Sequence, residues 1–270
     1  VEINSMGFRG PALTVPKPTE TFRLAFLGAS TTFSAEASSN QAVWPHLVTE
    51  AFRQRYPGRS FDYVNGGVPG YTVASSLRNL ELRVAPLHPD LIVIYHGTND
   101  LSGELRNLAK ERGSGRDVSP PEASWLSRHS LLWNLVSKNL RLLIAQRDTG
   151  SGASPVVSFE PGELGTSFRE DLTRLVQAAK KMGVPVAVAT FSVHMRDGQN
   201  EEQRRRAMQS AALYMPGFDA EALISAYRRY NQIIGEVART EGVILIADEN
   251  RIPGDPAHFV DSVHFTDAGN

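Results

Sequence analysis

The sequence predicts an α/β protein, a three-layer α/β/α sandwich built on a parallel sheet. Two observations carry this. Five short apolar runs, at residues 23–27, 61–64, 91–95, 184–191 and 243–247, lack the alternation of a half-exposed strand. Uniformly apolar strands are what a sheet covered on both faces requires. Stretches with helical spacing separate the runs, and strands alternating with helices make βαβ crossovers. Such crossovers are right-handed, so helices cover both faces.

The elements follow in order. The first run, Leu24-Ala25-Phe26-Leu27, ends on Gly28-Ala29-Ser30. A helix is expected over 41–56, where Val43, Leu47, Val48 and Phe52 share a face. The second run leads into Asn65-Gly66-Gly67-Val68-Pro69-Gly70, and a helix over 72–84 carries Leu77, Leu80 and Leu82. The third run leads into Gly97-Thr98-Asn99-Asp100. The alternation then breaks. Residues 101–166 read as an insertion, with Pro-containing loops at 113–121 and 149–165 around a helix over 125–146. Insertions of this length are often lids or substrate-binding loops. A helix over 168–182 ends at Gly183, and the fourth run gives way to a charged segment, 195–218. A helix over 220–240 precedes the fifth run. With no repeat and no domain-sized linker, 1–270 reads as one domain behind a lead-in of 1–21.

Composition bounds the function. At 270 residues, 41% hydrophobic and 21% charged, the chain is long enough to bury a sizeable core. With 28 basic and 29 acidic residues it offers no reason to expect nucleic acid or an anionic membrane as partner. It has no cysteine, which removes thiolate nucleophiles, disulfides and Cys-based metal sites. No apolar run is long enough to span a bilayer. The chain opens on Val1, which reads as a processed or trimmed product, and a secreted or periplasmic location is favoured over the cytoplasm. Its end, Thr266-Asp267-Ala268-Gly269-Asn270, reads as the start of a helix.

Asp261-Ser262-Val263-His264 puts a carboxylate and an imidazole on one turn. The carboxylate can hold one ring nitrogen while the other faces a nucleophile, and Ser30 stands where a nucleophile is expected. Ser30, Gly70, Asn99 and His194 all follow a strand end, and function in parallel sheets gathers at those ends. Acyl transfer needs a nucleophile, a base and donors for the oxyanion. Ser30 would attack the carbonyl; His264 would take its proton and later deliver it to the leaving group. Asp261 would orient the imidazole. The Ser30 and Gly70 N–H groups and the Asn99 amide would bind the oxyanion, with Thr31 and Thr32 placed to cap the helix after Ser30.

Plainer readings stand beside these. Serine after a strand is a common turn residue, and an Asp-x-x-His turn is common on surfaces. Asn99 can serve as a helix cap, Gly66 and Gly67 read as structural, and Asp100 as a buttress. His96 and His194 are candidates for lining the pocket, or are satisfied histidines of core or rim. The mixed-sign run at 201–206 reads as a solvated helix face. Asp255, His258, Asp261 and His264 have spacings that can gather a metal ion, but no further ligand set accompanies them. No metal and no cofactor are expected.

Taken together, these blocks resemble the SGNH hydrolases, also called GDSL esterases or lipases, over essentially 22–270. Gly28-Ala29-Ser30-Thr31 matches the nucleophile block, Asn65 to Gly70 the oxyanion-glycine block, Gly97-Thr98-Asn99-Asp100 the oxyanion-asparagine block and Asp261-x-x-His264 the last. The opening Asn4-Ser5-Met6-Gly7-Phe8-Arg9-Gly10 is similar to a lead-in of a bacterial branch. The resemblance implies a flavodoxin-like sheet of five parallel strands and a metal-independent serine esterase. Its substrate would be a small-molecule or carbohydrate ester with a short, acetyl-type acyl group. Two departures stand out: Ala29 where the family usually has Asp, and Thr31 where it has Leu. An O-acyltransferase acting on a polysaccharide and an inactive binding domain of the same fold stay open as alternatives.

Overall fold

The computed structural model describes residues 1–113 and 157–270. The helix expected over 125–146 lies outside the described residues. Five strands form one parallel sheet: β1 (Thr21–Gly28), β2 (Ser60–Gly67), β3 (Leu91–Tyr95), β4 (Val186–Ala189) and β5 (Ile244–Ile246). Their order is β2-β1-β3-β4-β5. The chain therefore moves outward from β1 to β2, then returns past β1 to build β3, β4 and β5 in the opposite direction. Right-handed crossovers in opposite directions put their helices on opposite faces.

The two cores record this. Leu24 and Phe26 of β1 point to one face, with Tyr63, Val93 and Ala187, under Trp44, Val48 and Phe52 of α2 (Trp44–Arg55). Phe26 meets the Trp44 ring edge-on, with centroids 5.0 Å apart. The alternate residues Ala25 and Leu27 point to the other face, as strand pleating dictates. There they join Val64, Ile92, Ile94 and Val188. That face is covered by α3 (Val73–Asn79), α4 (Thr98–Glu111), α5 (Thr166–Lys180) and α8 (Ala220–Glu241). Three short helices complete the described α-helices: α1 (Ser30–Phe33), α6 (Glu201–Ala207) and α7 (Ala211–Tyr214).

Three features depart from the sequence reading. The first part of the segment read as an insertion is α4, whose Leu101, Leu105 and Ala109 are buried at spacings of four. The helix expected over 72–84 is α3 followed by a π-helical turn, Leu80–Val84. The fifth strand is not covered on both faces. It is an edge strand, and Ile244, Leu245 and Ile246 are all exposed. Leu245 leans toward Gly235 of α8, so Ile244 and Ile246 point to the face that α2 covers only near β1 and β2.

The strand order fixes where a site can form. The order in which strands are added reverses between β1 and β3, and ligands in such sheets bind outside the carboxyl ends at that switch point. In register, Gly28 of β1 pairs with Gly67 of β2 and with Tyr95 of β3, so these three strand ends stand level. Ser30, Gly70 and Asn99 follow them two, three and four residues later.

Candidate active site

Helix α1 is a single turn laid against the ends of β1 and β2. A side chain at Gly67 would stand 2.4 Å from the Phe33 nitrogen, and one at Gly28 would stand 1.9 Å from the Thr32 hydroxyl. Only glycine lets the turn sit this close. The turn is held by N–H donation from Phe33 to the Ala29 carbonyl (2.9 Å) and from Ser34 to the Ser30 carbonyl (2.7 Å). The N-cap is Ala29, which has no polar side chain to offer. Thr31 and Thr32, expected as caps, lie inside the turn and are buried, and their hydroxyls find no partner among the described residues. A threonine after the N-cap position cannot reach back to cap the turn it belongs to. The Ser30 N–H is accordingly a first-turn donor without an intrahelical acceptor.

The other half of the site is the loop between Phe259 and Phe265, which pair across an isolated antiparallel bridge. Val260 donates its N–H to the His264 carbonyl at 2.8 Å, closing the loop. Asp261 organises its interior: Oδ1 accepts the Val263 and His264 N–H groups, each at 2.9 Å. Oδ2 lies 2.8 Å from His264 Nδ1, and His264 Nε2 lies 2.8 Å from Ser30 Oγ. With the Nδ1 proton donated to Asp261, Nε2 is left to accept the Ser30 hydroxyl proton. Burial alone would raise the Asp261 carboxyl, but bonds from His264 and the two loop N–H groups outweigh it and hold it at about 2. A carboxylate so held stays charged beside the ring, which is what stabilises an imidazolium.

This loop is pinned from two sides. His194 donates its backbone N–H to the Ser262 carbonyl at 2.9 Å, and its Nδ1 lies 3.2 Å from the Asp261 carbonyl. Its ring stacks on Phe259. Burial lowers the His194 pKa, so the ring serves as a neutral spacer behind Asp261. Ser262 exchanges bonds with the start of α7: its N–H donates to Ser210 Oγ (3.1 Å), and its Oγ accepts the Ala211 N–H (3.0 Å). Sequence reasoning passed over Ser210 and Ser262, because a pairing across 52 residues leaves no local pattern.

Gly70 has φ +83°, a left-handed conformation that favours glycine. Among the described residues, its chain neighbours aside, no atom comes within 4 Å of where its Cβ would stand. Its N–H has no acceptor among the described residues. Asn99, in the first turn of α4, donates one amide N–H to the Tyr71 carbonyl at 2.8 Å and keeps a second. Asp100 accepts the Val73 N–H at 3.2 and 3.3 Å. Burial pushes its carboxyl up to about 7, against the lowering effect of that bond. The starts of α3 and α4 are thus stitched together, and the Asn99 amide is tied to the chain one residue after Gly70. His96 stands apart: it is buried, Nε2 lies 2.7 Å from Ser76 Oγ, and burial lowers its pKa to about 3.

Asp255 and His258 repeat the Asp261–His264 arrangement, with Nδ1 2.8 Å from Oδ1, on a more exposed turn. Among the described residues no group of three His, Asp or Glu is placed to hold a metal. Helix α6 carries a capping box of Asn200 and Gln203, and Glu202 pairs with Arg205 and Arg206 along its surface. A cavity of about 320 Å³ between α8 and the ends of β4 and β5 is lined by Thr190, Tyr227 and Asn231 and contains none of Ser30, His264 or Asp261. No described helix is long and apolar enough to cross a membrane.

Comparison with known families matches residues 26–270 to the GDSL-like Lipase/Acylhydrolase family. The chain belongs to that family. Its parallel five-stranded sheet, with helices on both faces, is that of the α/β SGNH hydrolase fold. Solved structures with the same fold include three at TM-scores of 0.50–0.51. One is a two-domain esterase active on acetylated mannans (16% identity, TM-score 0.51), where the match covers 93% of this chain and 45% of that one. The chain thus spans about half the length of that esterase. A second is a lipase/acylhydrolase from Enterococcus faecalis (17% identity, TM-score 0.50; 92% and 89% covered). The third is the acetyl xylan esterase AlAXEase (15% identity, TM-score 0.51; 92% and 93% covered). At these identities the likeness is one of fold. A sequence comparison with proteins of curated function finds no match.

Proposed function

We propose that this member of the GDSL-like family hydrolyses short-chain, acetyl-type esters through an acyl-enzyme on Ser30. The observation that carries the reading is the unbroken chain from Asp261 through His264 to Ser30, with both links at 2.8 Å. In this reading Ser30 Oγ attacks the ester carbonyl as Nε2 of His264 takes its proton. The Ser30 and Gly70 N–H groups and the free Asn99 amide N–H receive the negative charge on the carbonyl oxygen. The imidazolium then gives its proton to the departing alkoxide. Water, deprotonated by the same ring, cleaves the acyl-serine and restores the hydroxyl. No metal takes part. The whole of 1–270 acts as one hydrolase domain, and acetylated carbohydrate is the substrate class to try first.

The test is hydrolysis of p-nitrophenyl esters from acetate upward, with acetate release from acetylated xylan and mannan oligosaccharides in parallel. Highest kcat/KM on acetyl esters supports the acyl preference, and a maximum at long chains overturns it. Acyl transfer to a sugar hydroxyl exceeding transfer to water would assign an acyltransferase with the same residues.

A further inference from the structure

Arg9 is 1% exposed, and among the described residues no carboxylate hydrogen-bonds to its guanidinium. Its five N–H groups meet five oxygens instead. Nε donates to Asn40 Oδ1 at 3.0 Å. One terminal nitrogen donates to the Phe33 carbonyl at 2.9 Å and to the Ser34 carbonyl. The other donates to the Ser39 carbonyl at 3.1 Å and, at 3.5 Å, to the Ala37 carbonyl. Five donors in a planar fork are what arginine alone supplies. A buried charge whose hydrogen bonds all go to neutral carbonyl oxygens costs free energy, and burial lowers its pKa against the raising effect of Tyr63, Glu36 and Asp267.

The acceptors are not scattered. Phe33 and Ser34 end α1, the turn that begins with Ser30. Ser34 is in the left-handed region (φ +53°), so the chain bends sharply there and its last carbonyls need partners. The same loop is tied to the His264 side. Asp267 accepts the Ser38 N–H at 2.8 Å, and Asn270 Oδ1 accepts the Ser34 hydroxyl at 3.0 Å. Arg9 reaches the loop from a built arm. Asn4 Oδ1 accepts the Met6 and Phe8 N–H groups, Ile3 bridges Arg9, and Phe8 is buried under Arg83. The arm precedes residues 26–270, the span matched by the family.

We infer that Arg9 is a positioning residue for Ser30: it caps the carboxyl end of the nucleophile turn and fixes the 34–40 loop shared with the His264 side. It touches no substrate, being buried with every N–H engaged. The inference rests on the serine-esterase reading for its kinetic part only.

The experiment compares the parent with Arg9→Met and Arg9→Lys by steady-state kinetics on p-nitrophenyl acetate, normalised to active sites titrated with a fluorophosphonate. Amide hydrogen exchange is followed on the same proteins. We expect kcat to fall about 10- to 100-fold with KM within about threefold, since orientation acts on the chemical step. Exchange should quicken at Ser34, Ala37 and Ser38 while the amides of β1 and β3 keep their protection. Lysine, with three donors on a point charge, should restore little. In Arg9→Ala, low non-denaturing guanidinium should recover part of kcat, which a merely destabilised fold would not do. Unchanged exchange in 34–38, or kcat within twofold of the parent despite faster exchange, overturns the inference. So does a uniform rise in exchange with no guanidinium rescue. A parent without Ser30-dependent activity overturns the esterase reading and the kinetic part, while exchange still decides whether Arg9 holds the loop.

Discussion

Asp261 does two jobs with two oxygens. One shapes the loop by accepting backbone N–H groups; the other meets His264. Asp261→Asn keeps the shape but offers an N–H where Nδ1 needs an acceptor, forcing the other tautomer. We expect kcat to fall on the order of 10⁴-fold, the size of the same change in other serine triads, with the thermal midpoint little altered. The ionisation has its own signature. The folded carboxyl sits at about 2, below its usual value near 4. Its contribution to stability is therefore present above about pH 4 and is lost as pH falls toward 2. Removing the Asn99 amide should cost about 10²- to 10³-fold in kcat with little change in KM, since the oxyanion exists only past the ground state. That Ser30, Asp261 and His264 meet was legible in the sequence because strand ends and a one-turn motif are local signals. Ser210, Ser262 and Arg9 were not, because each acts on a partner far along the chain.

Among the elements, α4 holds the lesson. Its Leu101, Leu105, Leu108 and Ala109 repeat was present in the sequence, but the polar stretch beyond it drew the insertion boundary back to 101. The start of this helix also carries a pH-sensitive group. Asp100 titrates at about 7 in the folded chain and near 4 when unfolded. Between those values the folded state holds a proton that the unfolded chain has lost. Stability from this group therefore falls as pH rises from about 4 to about 7. Asp100→Asn keeps an oxygen for the Val73 N–H and removes the titration. Thermal unfolding across pH should show the variant gaining on the parent over that window, by at least about 1 kcal/mol at neutral pH. Parallel curves would contradict the burial of Asp100.

At the scale of the molecule, five strands could be counted from apolar runs, but their order could not, since order depends on which runs meet in space. The order matters most, because the β1–β3 switch point gathers Ser30, Gly70 and Asn99 at one edge. The opposite edge is held by an ion pair whose arginine is buried and whose aspartate is half-buried. Arg23, 0% exposed, donates to both oxygens of Asp62 at 2.8 and 2.6 Å, and also to the Leu87 and Thr14 carbonyls. Asp62→Ala leaves that charge unpaired and should cost about 3 kcal/mol, read as a lower urea midpoint at unchanged slope. Activity per folded molecule should stay the same, because the pair lies at the amino ends of the strands and the site at the carboxyl ends.

The central claim is that Ser30 carries the acyl group. The measurement that tests it most directly is rapid acid quench after mixing with p-nitrophenyl acetate, followed by peptide mapping by mass spectrometry. The account predicts one acetyl group on the peptide containing Ser30, none in Ser30→Ala, and activity lost with it. Acetyl on another residue, or full turnover by Ser30→Ala, would contradict it.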